Sequence, residues 1–227
     1  MRIPFTLALA VALASATLLA GQDADRVIAY GGIKVPAWTG KIDAGAARQG
    51  RTINDTRLAA EGAGLRATIG PAVTYWNPAN TASGDYSVKA TFLEPKFMNR
   101  NDHPHSYGIF IGGNDMGTDA MSLLYCVTYG DGTMLVRGFG PAVFTIFRTG
   151  PNAAVRKAAA VDQPVSQDIE WRVRGNRAEC VINGTVAAGY DKTELIGTGK
   201  LKSTEGVFGL RFSHNVDVIV TGLGLAR

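Results

Sequence analysis

The chain reads as an all-β sandwich carried behind a secretory leader. Three observations predict this. Short runs of alternating apolar and polar residues recur along the chain, separated by glycine-bearing turns. Helical periodicity is almost absent. An apolar stretch behind a single positive charge opens the sequence.

Composition sets the bounds. The 227 residues are 46% hydrophobic and 19% charged, enough to bury a core without a metal or a dense disulfide framework. Sandwiches commonly form one unit of ~200–250 residues, so residues 22–227 are read as a single domain. The 28 glycines stand beside only 9 prolines, which suits many tight turns. The formal charge is +4. The basic residues are scattered, with no run to track a phosphate backbone, so nucleic acid is not expected as a partner.

Residues 1–21 carry Arg2 and then an apolar stretch that ends in small residues. This is the pattern of a secretory signal, with processing expected near residues 20–24. An uncleaved anchor is the alternative, because the stretch is marginal for a span of ~20 residues. No Cys follows Leu19-Ala20-Gly21, which speaks against a lipid anchor. No later segment is apolar enough to cross a membrane. A periplasmic or secreted location is expected, with no stable membrane span after processing.

Strand signals follow in order at residues 26–30, 64–69, 73–76, 86–94 and 106–112. Along 86–94, Tyr86, Val88, Ala90 and Phe92 share one face. Residues 123–129 and 133–139 flank Gly130-Asp131-Gly132 and form the clearest hairpin. A second hairpin pairs 169–174 with 178–183 across Gly175-Asn176. Asn183-Gly184 then turns the chain into 185–190, and 206–213 and 217–225 close it. Residues 152–161 resemble a short helix, and 57–61 one helical turn. No repeat of 20–50 residues is present, so a propeller or solenoid is not expected. About ten to twelve short strands need two layers to bury one face each. A jelly roll of two antiparallel sheets satisfies this, with an up-and-down barrel as the alternative.

Four motifs carry a family resemblance. They are Asn101-Asp102-His103-Pro104-His105-Ser106-Tyr107-Gly108-Ile109-Phe110-Ile111-Gly112-Gly113-Asn114-Asp115; Tyr129-Gly130-Asp131-Gly132 with Val136-Arg137-Gly138; Trp171 with Ile182-Asn183-Gly184; and Gly206-Val207-Phe208-Gly209-Leu210-Arg211-Phe212-Ser213-His214-Asn215. Together they resemble bacterial exported domains of unknown function with the concanavalin A-like lectin/glucanase sandwich, akin to 3-keto-disaccharide hydrolase and laminin-G-like domains. The resemblance spans roughly residues 38–225. It implies a curved sandwich and a carbohydrate partner. Fold alone does not license that function.

Cys126 and Cys180 both lie in strand-like runs. They are either two buried thiols or one bridge between strands, and spacing does not decide which. His103 and His105, with Tyr107, Asp102 and Asp115, could serve as acid and base or as ligands. A polar strand entry is the bland alternative. A third ligand is missing nearby, so no metal and no cofactor are assigned. Strand alternation puts Arg211, Ser213, Asn215 and Asp217 on one face, and Arg137 could join them over bound sugar. His214 falls on the opposite, apolar face and reads as a core histidine. Among Trp38, Tyr75, Trp76, Tyr125 and Tyr129, Trp76 beside Asn77-Pro78 is the candidate stacking platform, and Trp171 reads as core.

The close acidic pair of retaining glucanases is absent from the sequence, which weakens a glycosidase reading. The expected function is therefore carbohydrate binding. The alternatives are a hydrolase or lyase using His105, Asp115 and Arg211, and a protein-interaction module, which would expose an apolar patch.

Overall fold

The structure is a computed structural model that describes residues 25–98 and 103–226. The leader read at residues 1–21, and Asp102, lie outside them. Among the described residues two sheets form the sandwich and no barrel closes. The eight-stranded sheet has the order β1 (Gly32–Ile33), β3 (Thr56–Glu61), β4 (Gly64–Ile69), β15 (Asp217–Leu225), β6 (Tyr86–Glu94), β11 (Val165–Arg174), β12 (Arg177–Ile182), β13 (Thr185–Asp191). The seven-stranded sheet has the order β10 (Val143–Pro151), β9 (Thr133–Phe139), β8 (Ser122–Tyr129), β7 (Ser106–Asn114), β14 (Gly206–Phe212), β5 (Val73–Ala82), β2 (Thr39–Ile42). Pairing is antiparallel except at the edge, where β1 runs parallel to β3.

Alternation explains the core. On β6 and β11 the residues Val88, Ala90, Phe92, Ile169, Trp171 and Val173 point inward. Tyr75, Tyr107, Ile109, Cys126 and Leu210 meet them from the other sheet. Among the ties that cross the layers are these. The Trp171 indole donates to the Ile109 carbonyl at 3.1 Å, and Cys126 is bonded to Cys180 with Cα atoms 6.3 Å apart.

Three local expectations are corrected. Residues 57–61 are not a helical turn: they lie in β3, where pairing with β4 buries Leu58. Residues 152–161 form turns rather than a helix. Their amides are spent on the neighbouring hairpin, Asn152 donating to the Gly132 carbonyl and Ala158 to that of Gly130. Tertiary hydrogen bonds outweigh the helix propensity of the alanines. Residues 26–30 form no strand. The chain there is held by Arg26, whose amide donates to the Asn215 side chain at 2.7 Å. In addition, β5 runs through Asn77-Pro78 to Ala82, and the unexpected β10 forms the sheet edge, where a proline is tolerated.

Two predictions follow from this packing. The bridge closes a sequence separation of 54 residues, so its removal should cost about 4 kcal/mol. Urea unfolding with and without reductant, and of the Cys126→Ala/Cys180→Ala variant, measures this; equal midpoints would contradict it. The second concerns Glu94, which faces inward at the end of β6 and is 8% exposed. Burial pushes its carboxyl up to about 7, and the facing Tyr107 hydroxyl pulls it back only in part. The folded chain therefore holds this proton up to about pH 7, whereas the unfolded chain releases it near pH 4.5. Stability from this group falls as pH rises across that window, by up to about 3 kcal/mol. Glu94→Gln should remove the decline in urea midpoints measured between pH 4.5 and 8.

Candidate functional site

The outer face of the seven-stranded sheet carries a second, smaller apolar layer. Register places Thr39, Trp76, Gly209, Phe110, Tyr125 and Arg137 in one row across the strands. Lys41, Thr74, Arg211, Gly108, Val127 and Leu135 form the next row. Trp76, Phe110, Tyr125, Val127 and Leu135 are all buried. The loop 115–121 covers them. Met116 and Met121 pack on the layer, and the Lys41 ammonium donates to the Thr118 carbonyl at 2.8 Å. Trp76 is therefore not an open platform: it is 5% exposed beneath this loop.

Arg211 organises the layer. Its guanidinium forms a bidentate pair with Asp43, both contacts at 2.6 Å. It also lies over two rings, 5.2 Å from the centre of Tyr125 and 5.3 Å from that of Phe139. Burial alone would lower the pKa of the guanidinium; the Asp43 carboxylate outweighs this and raises it. Burial pushes the Tyr125 hydroxyl up, while Arg211 and Arg137 pull it back. Arg137 thus shares the face with Arg211, and its Nε donates to Thr145 at 3.2 Å. A Cβ on Gly108, opposite Arg211, would stand 2.0 Å from the Cys126 carbonyl oxygen, so this position admits only glycine.

Above the Asp43–Arg211 pair opens a cleft of about 620 Å³, lined among others by Lys41, Asp43, Arg48, Asp119, Phe139 and Pro141. Phe139 is half-buried. Asp43 also borders a second cleft of about 730 Å³, whose lining includes Asp25, Gln49, Arg51, His103 and His214.

At that second cleft the three histidines of the chain meet. The ring centres of His103 and His105 are 4.6 Å apart, those of His105 and His214 4.8 Å, and those of His103 and His214 5.6 Å. The topology is the cause. β7 and β14 pair with Phe212 opposite Tyr107, so the chain just before β7 and the chain just after β14 emerge side by side. His214 is accordingly not a core histidine. Its Nδ1 lies 3.3 Å from the Asp25 carboxylate.

Other expected groupings are not formed. Asp115 follows β7 whereas His105 precedes it, and nine strand residues separate them by about 30 Å. Asp115 instead pairs with Lys202. Tyr107 points into the core, stacked on Phe92 with centres 5.5 Å apart, and binds no ligand from there. Asn215 serves the backbone: its side chain accepts from the Arg26 amide, and its carbonyl accepts from the Arg26 guanidinium. Ser213 accepts from the Ser106 amide. Asp217 belongs to the other sheet and pairs with Arg66 at 3.0 Å. The face proposed from Arg211 to Asp217 dissolves because the chain leaves β14 after Phe212 and crosses between sheets. Asp43 and Asp25 escaped sequence reasoning. Each meets its partner from more than 165 residues away, and no local pattern marks either.

No family model matches the chain, and no curated protein matches it in sequence. Solved structures do match in shape. The carbohydrate-binding module CBM66 from Bacillus subtilis aligns with a TM-score of 0.54 at 8% identity, covering 86% of this chain and 98% of that one. An endo-β-1,3-glucanase from Pyrococcus furiosus aligns with a TM-score of 0.55 at 12% identity, covering 81% and 85%. A protein of unknown function with a galectin-like fold from Bacillus subtilis gives 0.54 at 11%, covering 83% and 88%. With its two sheets, antiparallel apart from the β1 edge, and this shape, the chain has a concanavalin A-like jelly-roll sandwich fold.

Proposed function

We propose that the protein binds carbohydrate, in the cleft that opens above the Asp43–Arg211 pair. The observation that carries this reading is the cleft's chemistry. A carboxylate held rigid by a bidentate guanidinium stands beside the half-buried Phe139 ring. A fixed carboxylate accepts hydrogen bonds from neighbouring sugar hydroxyls, and an aromatic face suits the C–H side of a pyranose. Lys41, Arg48 and Asp119 add donors and an acceptor around the rim. The volume fits a small-molecule site. The neighbouring folds include a carbohydrate-binding module, and this supports the class of ligand.

The hydrolase or lyase reading through His105, Asp115 and Arg211 loses its support, since Asp115 stands at the far end of β7. The two carboxyl groups that line this cleft each pair with a cation, Asp43 with Arg211 and Asp119 with Lys41. An exported chain, as residues 1–21 lead us to propose, would meet such ligands outside the cell.

A glycan array probed with the mature chain, followed by calorimetric titration of the best oligosaccharide, tests the proposal. Phe139→Ala and Asp119→Asn should each weaken binding about tenfold or more, the size expected when a stacking face or a charged hydrogen bond worth roughly 1.5 kcal/mol is lost. A folded chain that binds no glycan overturns it, as does unchanged affinity in Phe139→Ala.

A further inference from the structure

We infer that His103, His105 and His214 form a binding site for a divalent transition metal of the zinc class, with one coordination position open to the cleft beside them. Three observations support it. The first is composition. The chain has only three histidines, and all three converge, His103 and His105 from one segment and His214 from another more than 100 residues away. The second is geometry. One ring nitrogen from each lies within 4.8 Å of the others. A tetrahedral zinc with bonds of about 2.1 Å needs nitrogens about 3.4 Å apart. Small ring movements would close that gap, and His103 and His214 sit half-buried at the cleft wall.

The third observation is the support behind His214. Its Nδ1 faces the Asp25 carboxylate at 3.3 Å, while the other oxygen of Asp25 is 3.9 Å from Arg51. A carboxylate accepting from Nδ1–H directs the Nε2 lone pair outward, which is how metal-ligating histidines are held in the right tautomer. Asp25 is in turn fixed in place, because its neighbour Arg26 is tied to Asn215 beside His214. Asp25 is thus a positioning residue rather than a ligand.

The donor set chooses the metal. Three imidazoles suit zinc, copper or nickel and not magnesium or calcium, which prefer oxygen. Three histidines also leave a tetrahedral ion one position short, and such open sites hold a water or an incoming oxygen ligand. Here that position faces the cleft of about 730 Å³ whose lining includes Gln49, Arg51 and Asp43. The mixed lining there, with the carboxylates of Asp25 and Asp43 beside Arg51 and Gln49, suits a water or a hydroxyl-bearing ligand on the metal.

The test uses the mature chain, stripped with chelator and titrated with ZnCl2 by calorimetry, and separately loaded with Co2+ for its visible spectrum. One equivalent of Zn2+ per chain, with the strong absorption of four-coordinate Co2+, is expected. His103→Ala and His214→Ala should weaken Zn2+ at least tenfold. Asp25→Asn should weaken it about 10- to 100-fold without changing the stoichiometry. Far-ultraviolet circular dichroism confirms that each variant is folded. Because His105 is buried and its loss could disturb the fold, the cobalt spectrum of the unaltered chain carries the test for that residue. Absence of Zn2+ binding, an octahedral cobalt spectrum, or unchanged affinity in His214→Ala overturns the site. Unchanged affinity in Asp25→Asn overturns the role of Asp25. Saturating MgCl2 should not compete, and competition would overturn the imidazole assignment.

Discussion

The pairing of β7 with β14 governs most of what is distinctive here. With Phe212 opposite Tyr107 and Arg211 opposite Gly108, Tyr107, Ile109, Leu210 and Phe212 enter the core, while Phe110 and Arg211 reach the outer face. A slip of one residue would reverse every side chain on β14. Arg211 would then enter the core without Asp43, and Phe212 would face the cleft. The same register brings the ends of the two strands together, so that His105 and His214 meet. One alignment therefore fixes the inner core, the buried ion pair and the histidine cluster.

Arg211 is the costly member of this arrangement. A buried guanidinium is tolerable only with its charge matched and its donors satisfied. Asp43 supplies both through a bidentate contact, and Tyr125 and Phe139 offer their ring faces. A hydrophobic residue would fill the same space more cheaply, so burial stability does not account for the pair. What the pair does is hold one carboxylate at a defined place beside an aromatic ring, at the junction of two clefts. That is the preorganisation a polar ligand site needs.

The two clefts divide the chemistry. One presents a carboxylate, an aromatic ring and a mixed-charge rim. The other presents imidazoles backed by a carboxylate. Asp43 borders both, so a ligand long enough to occupy the first would approach the second. Both rest on strands anchored by the Cys126–Cys180 bond and the Trp171 contact to Ile109. Loops carry Asp43, Asp119 and the three histidines, and the paired sheets beneath keep them in place.

Much of the fold was legible along the chain. Alternation marks β6, whose bounds at Tyr86–Glu94 follow from it, and the closing strand β15 stands at Asp217–Leu225 as its apolar run predicts. Asn183 and Gly184, both at positive φ, mark the turn into β13. Alternation along β12 puts Cys180 on one face with Ala178 and Ile182. It could not tell that β8 would face that side, because a bridge depends on distance between sheets and not on spacing in sequence. The same limit applied to the site. Arg211 and the histidines stood out by residue type, but Asp43 and Asp25 did not. Asp115 and Trp76 looked suitable until β7 carried the first away and the loop 115–121 covered the second. Side-chain periodicity is a property of one strand and is written locally. Which strand lies opposite, and which loop lies above, follows from the lowest free energy of the whole packing. For this protein the sequence by itself determined the sandwich, its turns and the reactive residue types, while tertiary structure alone decided which of them meet.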